Sequence, residues 1–107
     1  MVSVHDQVGQ CVTIATRYAA VRRQGARDEQ VLDYQSHYSV LLPIIAGVYA
    51  VHFLRRTLEK SWKETLEGST EELLRVIQDY HAIAAGLKAW FGWWGADALE
   101  AIRRSTY

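Results

Sequence analysis

The side chains able to do chemistry in this chain are few and scattered. Four histidines, His5, His37, His52 and His81, are the first candidates for metal ligation or proton transfer. A dimetal site in a helical bundle needs Glu-x-x-His pairs, because that spacing brings both ligands to one helix face. No such pair occurs and no two histidines stand one turn apart, so no metal ligand is predicted. Cys11 is the single cysteine. It cannot form an internal disulfide, and a reducing compartment fits that usage. A reactive thiol needs cationic neighbours, and Cys11 falls on an apolar helix face, where a buried structural thiol is the plainer reading. There is no Gly-rich phosphate loop and no Walker motif. The acids have ordinary roles: Asp6 and Glu72 at helix starts, Glu59, Glu64 and Glu67 on a charged helix end, and Glu100 spaced to pair with Arg103 or Arg104. Residue type and spacing therefore nominate no catalytic residue.

Two surface features remain. Arginines come in pairs, Arg22-Arg23, Arg55-Arg56 and Arg103-Arg104, but the formal net charge is zero. No global positive field is available for a nucleic-acid backbone, and solvated helix ends account for the pairs. Trp90, Phe91, Trp93 and Trp94 form an aromatic cluster. Core or subunit contact is the plainer reading, since each ring carries a large burial area. The rings cover too much of the helix circumference for one small bundle to bury them all, and exposed apolar surface of this kind marks a partner.

The elements that must position these residues are helices. The 107 residues suffice for a single helical domain, 1–107, in which half the residues are apolar. The first predicted helix runs from Val4 to Gln24, with Val4, Val8, Cys11, Ala15 and Tyr18 on one face. Ser3 and Asp6 have the spacing of a capping box, and Gly25 stops the helix. After a polar loop, Gly25 to Gln30, a second helix is predicted from Val31 to Leu66. Its run from Tyr38 to Leu54 is almost continuously apolar. That is shorter than the ~20 residues of a spanning helix and is interrupted by Pro43, so a helix buried on all sides by protein, kinked near Ser39–Pro43, is expected. Ser69 and Glu72 open a third helix, Thr70 to about Arg104, which Gly92 and Gly95 weaken and could break. The expected core includes Leu42, Ile45, Tyr49, Ile77, Tyr80, Ala84 and Leu87. The predicted class is all-α, an up-down bundle of three to four long helices.

Several stretches resemble peroxisomal-type acyl-CoA oxidases, of the acyl-CoA dehydrogenase superfamily. Ala15-Thr16-Arg17-Tyr18-Ala19-Ala20-Val21-Arg22-Arg23-Gln24 is similar to the family's helix end, A-x-R-Y-x-x-V-R-R-Q-F-G. Leu32-Asp33-Tyr34-Gln35 is similar to its L-D-Y-Q segment. Leu41-Leu42-Pro43, Ala46 and Tyr49-Ala50-Val51-His52-Phe53 resemble its proline-bearing apolar helix. His81 to Trp90 resembles H-A-L-T-A-G-L-K-A-F, and Glu100 to Arg104 the stretch before its C-G-G-H-G-Y motif. The resemblance runs colinearly over about residues 11–104 and implies the family's C-terminal helical domain.

It also implies flavin chemistry in the full-length relatives. A glutamate removes the α-proton of a fatty acyl-CoA, hydride passes to FAD, and oxygen reoxidises the flavin with release of hydrogen peroxide. By the same resemblance Arg22 and Gln24 contact the FAD of a neighbouring subunit, and Gln35 lies near the cofactor. A guanidinium facing a pyrophosphate is a charge-assisted fork. The chain departs from the pattern in three places. The aromatic of R-R-Q-F-G is missing before Gly25, the C-G-G-H-G-Y motif is absent, and no residue matches the catalytic glutamate beyond it. The expectation is a segment inactive by itself, working with the remaining oxidase domains or a second subunit, and self-associating through Trp90–Trp94. The resemblance implies a peroxisomal location, and apart from it a cytoplasmic one is expected; Ser105-Thr106-Tyr107 is not a peroxisomal address. A stand-alone bundle serving protein interaction, and a small bundle binding fatty acyl groups, are the competing readings.

Overall fold

The computed structural model describes residues 2–106, with side chains from Val4 to Thr106. It contains three helices, α1 (Val2–Val21), α2 (Gln35–Leu66) and α3 (Thr70–Ser105). The all-α class stands. Between α1 and α2 lies a two-residue antiparallel pair, β1 (Arg23–Gln24) and β2 (Glu29–Gln30), then a single 3-10 turn, Val31–Asp33. α1 is thus shorter than predicted, because residues 23–24 pair with 29–30 instead of continuing the helix. α2 starts later than predicted for a related reason: Val31 turns inward and is buried. The capping box proposed for Ser3 and Asp6 rests on the Ser3 side chain, which lies outside the described side chains, while Asp6 stands 3.3 Å from His5 Nδ1.

α2 runs antiparallel to both α1 and α3. The position of a Cβ on Gly9 of α1 would stand 3.7 Å from Val48 of α2, and one on Gly95 of α3 would collide with Val4. At 1.5 Å per residue, α1 is about 30 Å long and α3 about 54 Å, so α1 can cover only part of the longer pair. The molecule is accordingly elongated, 68 × 21 × 18 Å. One end is a three-helix bundle. The other is a two-helix arm made by the last turns of α2 and the first turns of α3. There Trp62 packs edge-on against Tyr80, whose hydroxyl donates to the carbonyl of Leu58 at 2.9 Å. Ser69 caps α3 with both bonds of the capping box to Glu72 present, as its spacing predicts.

The core corrects the sequence reading. It consists of Val8, Val12, Ala15 and Ala19 of α1, Leu41 and Ile44 of α2, Ala98 and Ile102 of α3, and Val31. Of the expected core, Leu42 is 58% exposed and Tyr49 62%. Ile77 and Ala84 are also exposed, while Ile45, Tyr80 and Leu87 are half-buried. α2 is apolar on almost every side here, so its periodicity does not choose a face; α1 and α3 choose Leu41, Ile44 and Val51. Ile77 and Ala84 lie on the arm, beyond the reach of α1. The helix expected to be buried on all sides therefore presents a stripe to solvent: Tyr38, Leu42, Tyr49 and Phe53. By length and composition α2 could also cross a membrane, and only 17% of its apolar window is buried.

α2 continues through Pro43, which stands on an exposed face where water can serve the carbonyl left without its N–H partner. α3 is also unbroken at Gly92 and Gly95. Gly95 is instead a point of close approach between α1 and α3.

Candidate functional site

Arg22, Gln24 and Gln35 come together at the end of the bundle where α1 finishes and α2 begins. Arg22 stands one residue beyond α1, and its N–H still donates to the carbonyl of Tyr18 at 2.9 Å. Its own carbonyl accepts from Val31 N–H at 2.9 Å. Gln24 sits in β1 opposite Glu29. The turn between the strands places Gly25 at φ +83° and Asp28 at φ +53°. That left-handed region favours glycine, and a Cβ on Gly25 would also stand 2.7 Å from the Tyr34 hydroxyl. Tyr34 closes the group. Its hydroxyl donates to the carbonyl of Gln24 at 3.2 Å, and its backbone is the N-cap of α2, immediately before Gln35. One tyrosine side chain thus spans from Gln24 to the start of the helix that carries Gln35.

All three predicted site residues are exposed. Among the described residues, Arg22 has no carboxylate partner, and the side-chain amides of Gln24 and Gln35 make no hydrogen bond. The Arg22 guanidinium is nevertheless held. Nη1 donates to the Tyr18 hydroxyl at 2.6 Å, and the guanidinium carbon lies 5.6 Å from the centre of the Tyr18 ring. Sequence reasoning missed the roles of Tyr18 and Tyr34. The four-residue step from Tyr18 to Arg22 was a usable signal for the first. The second depends on a turn whose shape no periodicity reports.

Three other arginines, Arg55, Arg103 and Arg104, are closely paired with carboxylates. Arg55 pairs with Glu59 at 2.8 Å, which holds the Glu59 carboxyl below its ordinary value and raises Arg55. Glu100 accepts from both Arg103 and Arg104 at 2.8 Å, and these bonds lower its pKa to about 2. The spacing predicted a pairing with one or the other; the structure makes both. A carboxylate so held is a poor general base at neutral pH.

Two of the histidines, His5 and His37, tie elements together. His5 Nε2 lies 3.3 Å from the carbonyl of Val48, and its ring stacks on His52. His37 Nε2 donates to the carbonyl of Ser105 at 3.0 Å, joining the start of α2 to the end of α3. Among the described residues, no group of three or more His, Cys, Asp or Glu side chains could hold a metal. Cys11 is half-buried against the core. The aromatic cluster is divided: Phe91 is buried, Trp94 is half-buried and stacked on Trp90, and Trp93 is 77% exposed. An open groove of about 410 Å³ lies between α1 and α2, lined by Val12, Thr16, Arg17, Ile45 and Tyr49 among others. It is a trough open to solvent.

A family model described as the acyl-CoA oxidase C-alpha1 domain matches residues 1–106. Peroxisomal acyl-coenzyme A oxidase 1 of Mus musculus is 36% identical over 106 residues, 94% of this chain and 16% of that protein. The Homo sapiens protein of the same name is 35% identical over 96 residues, 85% of this chain and 14% of its own length. Acyl-coenzyme A oxidase 2, peroxisomal, of Arabidopsis thaliana is 36% identical over 97 residues, 87% of this chain and 14% of that protein. No solved structure matches. The chain belongs to the acyl-CoA oxidase C-alpha1 domain family and spans about one-sixth of the length of these relatives.

Proposed function

We propose, from this membership, that the chain is the part of an FAD-dependent acyl-CoA oxidase that supplies one edge of the flavin site and a packing surface for the other domains or a second subunit. The observation that carries the reading is the uncompensated Arg22 fork grouped with the free amides of Gln24 and Gln35. The residues fit one edge of such a cofactor: a cation for the pyrophosphate and two amides for its polar rim. FAD, when bound, supplies the two-electron acceptor for fatty acyl oxidation. This chain's part is to hold and orient it. An exposed charged contact is worth ~0–1 kcal/mol, so the edge alone gives weak binding, and the remaining contacts come from elsewhere in the assembly.

The apolar stripe of α2 and the exposed Trp90 and Trp93 fit the second part of the proposal. Contiguous apolar surface on this scale marks an interaction face. In an oxidase the cover is protein rather than lipid, which also accounts for a helix apolar enough to cross a membrane. The names of the relatives place them in peroxisomes, and the same location is proposed here. The stripe would equally serve a stand-alone interaction module, the competing reading; the Arg22 group favours the oxidase.

Two assays test the proposal. With added FAD and a long-chain acyl-CoA, the chain alone should release no peroxide above background. In nuclear magnetic resonance titrations at millimolar FAD, the side-chain N–H signals of Arg22, Gln24 and Gln35 should move. Sustained turnover would show that the chain is a complete enzyme. Shifts confined to Trp90 and Trp93, or none at all, would remove the flavin edge.

A further inference from the structure

We infer that Tyr18 is a positioning residue for Arg22, holding its guanidinium in an anion-facing pose without neutralising it; the inference rests on the flavin-edge reading above. Both ends of the arginine are pinned. Its backbone is fixed by the bonds to Tyr18 O and from Val31 N–H, each 2.9 Å, and its Nη1 by the Tyr18 hydroxyl at 2.6 Å. The guanidinium also lies within cation–π range of the ring, 5.6 Å from its centre. An exposed arginine free at its tip samples many rotamers and loses that freedom on binding. Here the freedom is already reduced before a ligand arrives.

The choice of a phenol matters. Arg55, Arg103 and Arg104 are held by carboxylates, which fix the side chain but cancel its charge. A tyrosine hydroxyl accepts one N–H and leaves the charge intact. Of the five guanidinium donors, four remain for a phosphate. The i,i+4 spacing brings ring and fork together because the helical hydrogen bond from Arg22 N–H to Tyr18 O persists one residue past α1.

The test uses the whole chain. Nitrogen-15 relaxation of the Arg22 Nε–H group is compared with that of Arg27, whose side chain is 87% exposed and, among the described residues, meets only Glu29, at the 4.0 Å limit of an ion pair. In the native chain Arg22 should be the more ordered. Tyr18→Phe should bring it to the mobility of Arg27 and weaken the FAD response of Arg22 by roughly three- to tenfold, the net worth of one ordinary exposed hydrogen bond. Tyr18→Glu should keep Arg22 ordered but abolish that response. It also serves if the phenylalanine variant folds poorly. An Arg22 as mobile as Arg27 in the native chain overturns the assignment, as does an equal FAD response in native and Tyr18→Phe chains. Absence of any FAD response in the native chain overturns the flavin-edge reading and takes the role of Tyr18 with it.

Discussion

Replacing Gly47 by alanine sets two effects of known size against each other. Gly47 lies inside α2, and glycine there is less favourable than alanine by ~0.8–1.0 kcal/mol. An added methyl, however, would stand 2.5 Å from Cζ2 of Trp94, 3.0 Å from Cε2 and 3.3 Å from Nε1. Movement of the indole is limited by its stacking on Trp90, ring centres 5.7 Å apart. Overpacking of this kind costs ~1–3 kcal/mol. The net expectation for Gly47→Ala is a loss of roughly 0–2 kcal/mol. Gly86 is the control. It lies inside α3, and nothing stands within 4 Å of where its methyl would go. Gly86→Ala should therefore stabilise by about 1 kcal/mol. The difference between the two variants, about 1–3 kcal/mol, isolates the packing effect, since the helix term cancels. Urea denaturation followed by circular dichroism gives both numbers, and tryptophan emission should report a displaced Trp94 in the first variant alone. If Gly47→Ala were as stabilising as Gly86→Ala, the close packing of α2 on Trp94 would be wrong.

Three further outcomes are expected. Leu41→Ala should destabilise by ~2–5 kcal/mol, since Leu41 is 1% exposed, while Leu42→Ala should stay within about 0.5 kcal/mol; the reverse order in a denaturation series would restore the predicted face. Glu100 has a folded pKa depressed to about 2, so its stabilising contribution is present above the ordinary carboxylate range and is lost as pH falls through about 2. Its carboxyl carbon resonance should titrate near that value, and should move up when Arg103 and Arg104 are both replaced by alanine. Finally, the chain should self-associate at micromolar concentration through its uncovered apolar surface. Leu42→Glu combined with Trp93→Glu should shift sedimentation towards the monomer, and a native chain that sediments as a monomer would deny that surface its part in association.

The sequence by itself determined the helices, because their signals are local. The Ser69–Glu72 spacing predicts the start of α3, and the apolar steps along α1 and α3 predict helix wherever those segments pack. It also determined the family, through short stretches in colinear order. Which faces meet was settled only by tertiary structure. α2 is apolar around most of its circumference, so Leu42 and Tyr49 looked as suited to a core as Leu41 and Ile44. The decision falls to α1, whose length stops short of the arm and leaves Ile77 and Ala84 uncovered. The candidate site divides in the same way. Arg22, Gln24 and Gln35 could be named from motif stretches. Their gathering at one end depends on a left-handed turn at Gly25 and Asp28, on a Tyr34 hydroxyl that reaches back ten residues to Gln24, and on Tyr18 holding a cation that no carboxylate neutralises. Those are contacts between segments, and helical periodicity carries no information about them, because it records only which residues share a face and not what that face will meet.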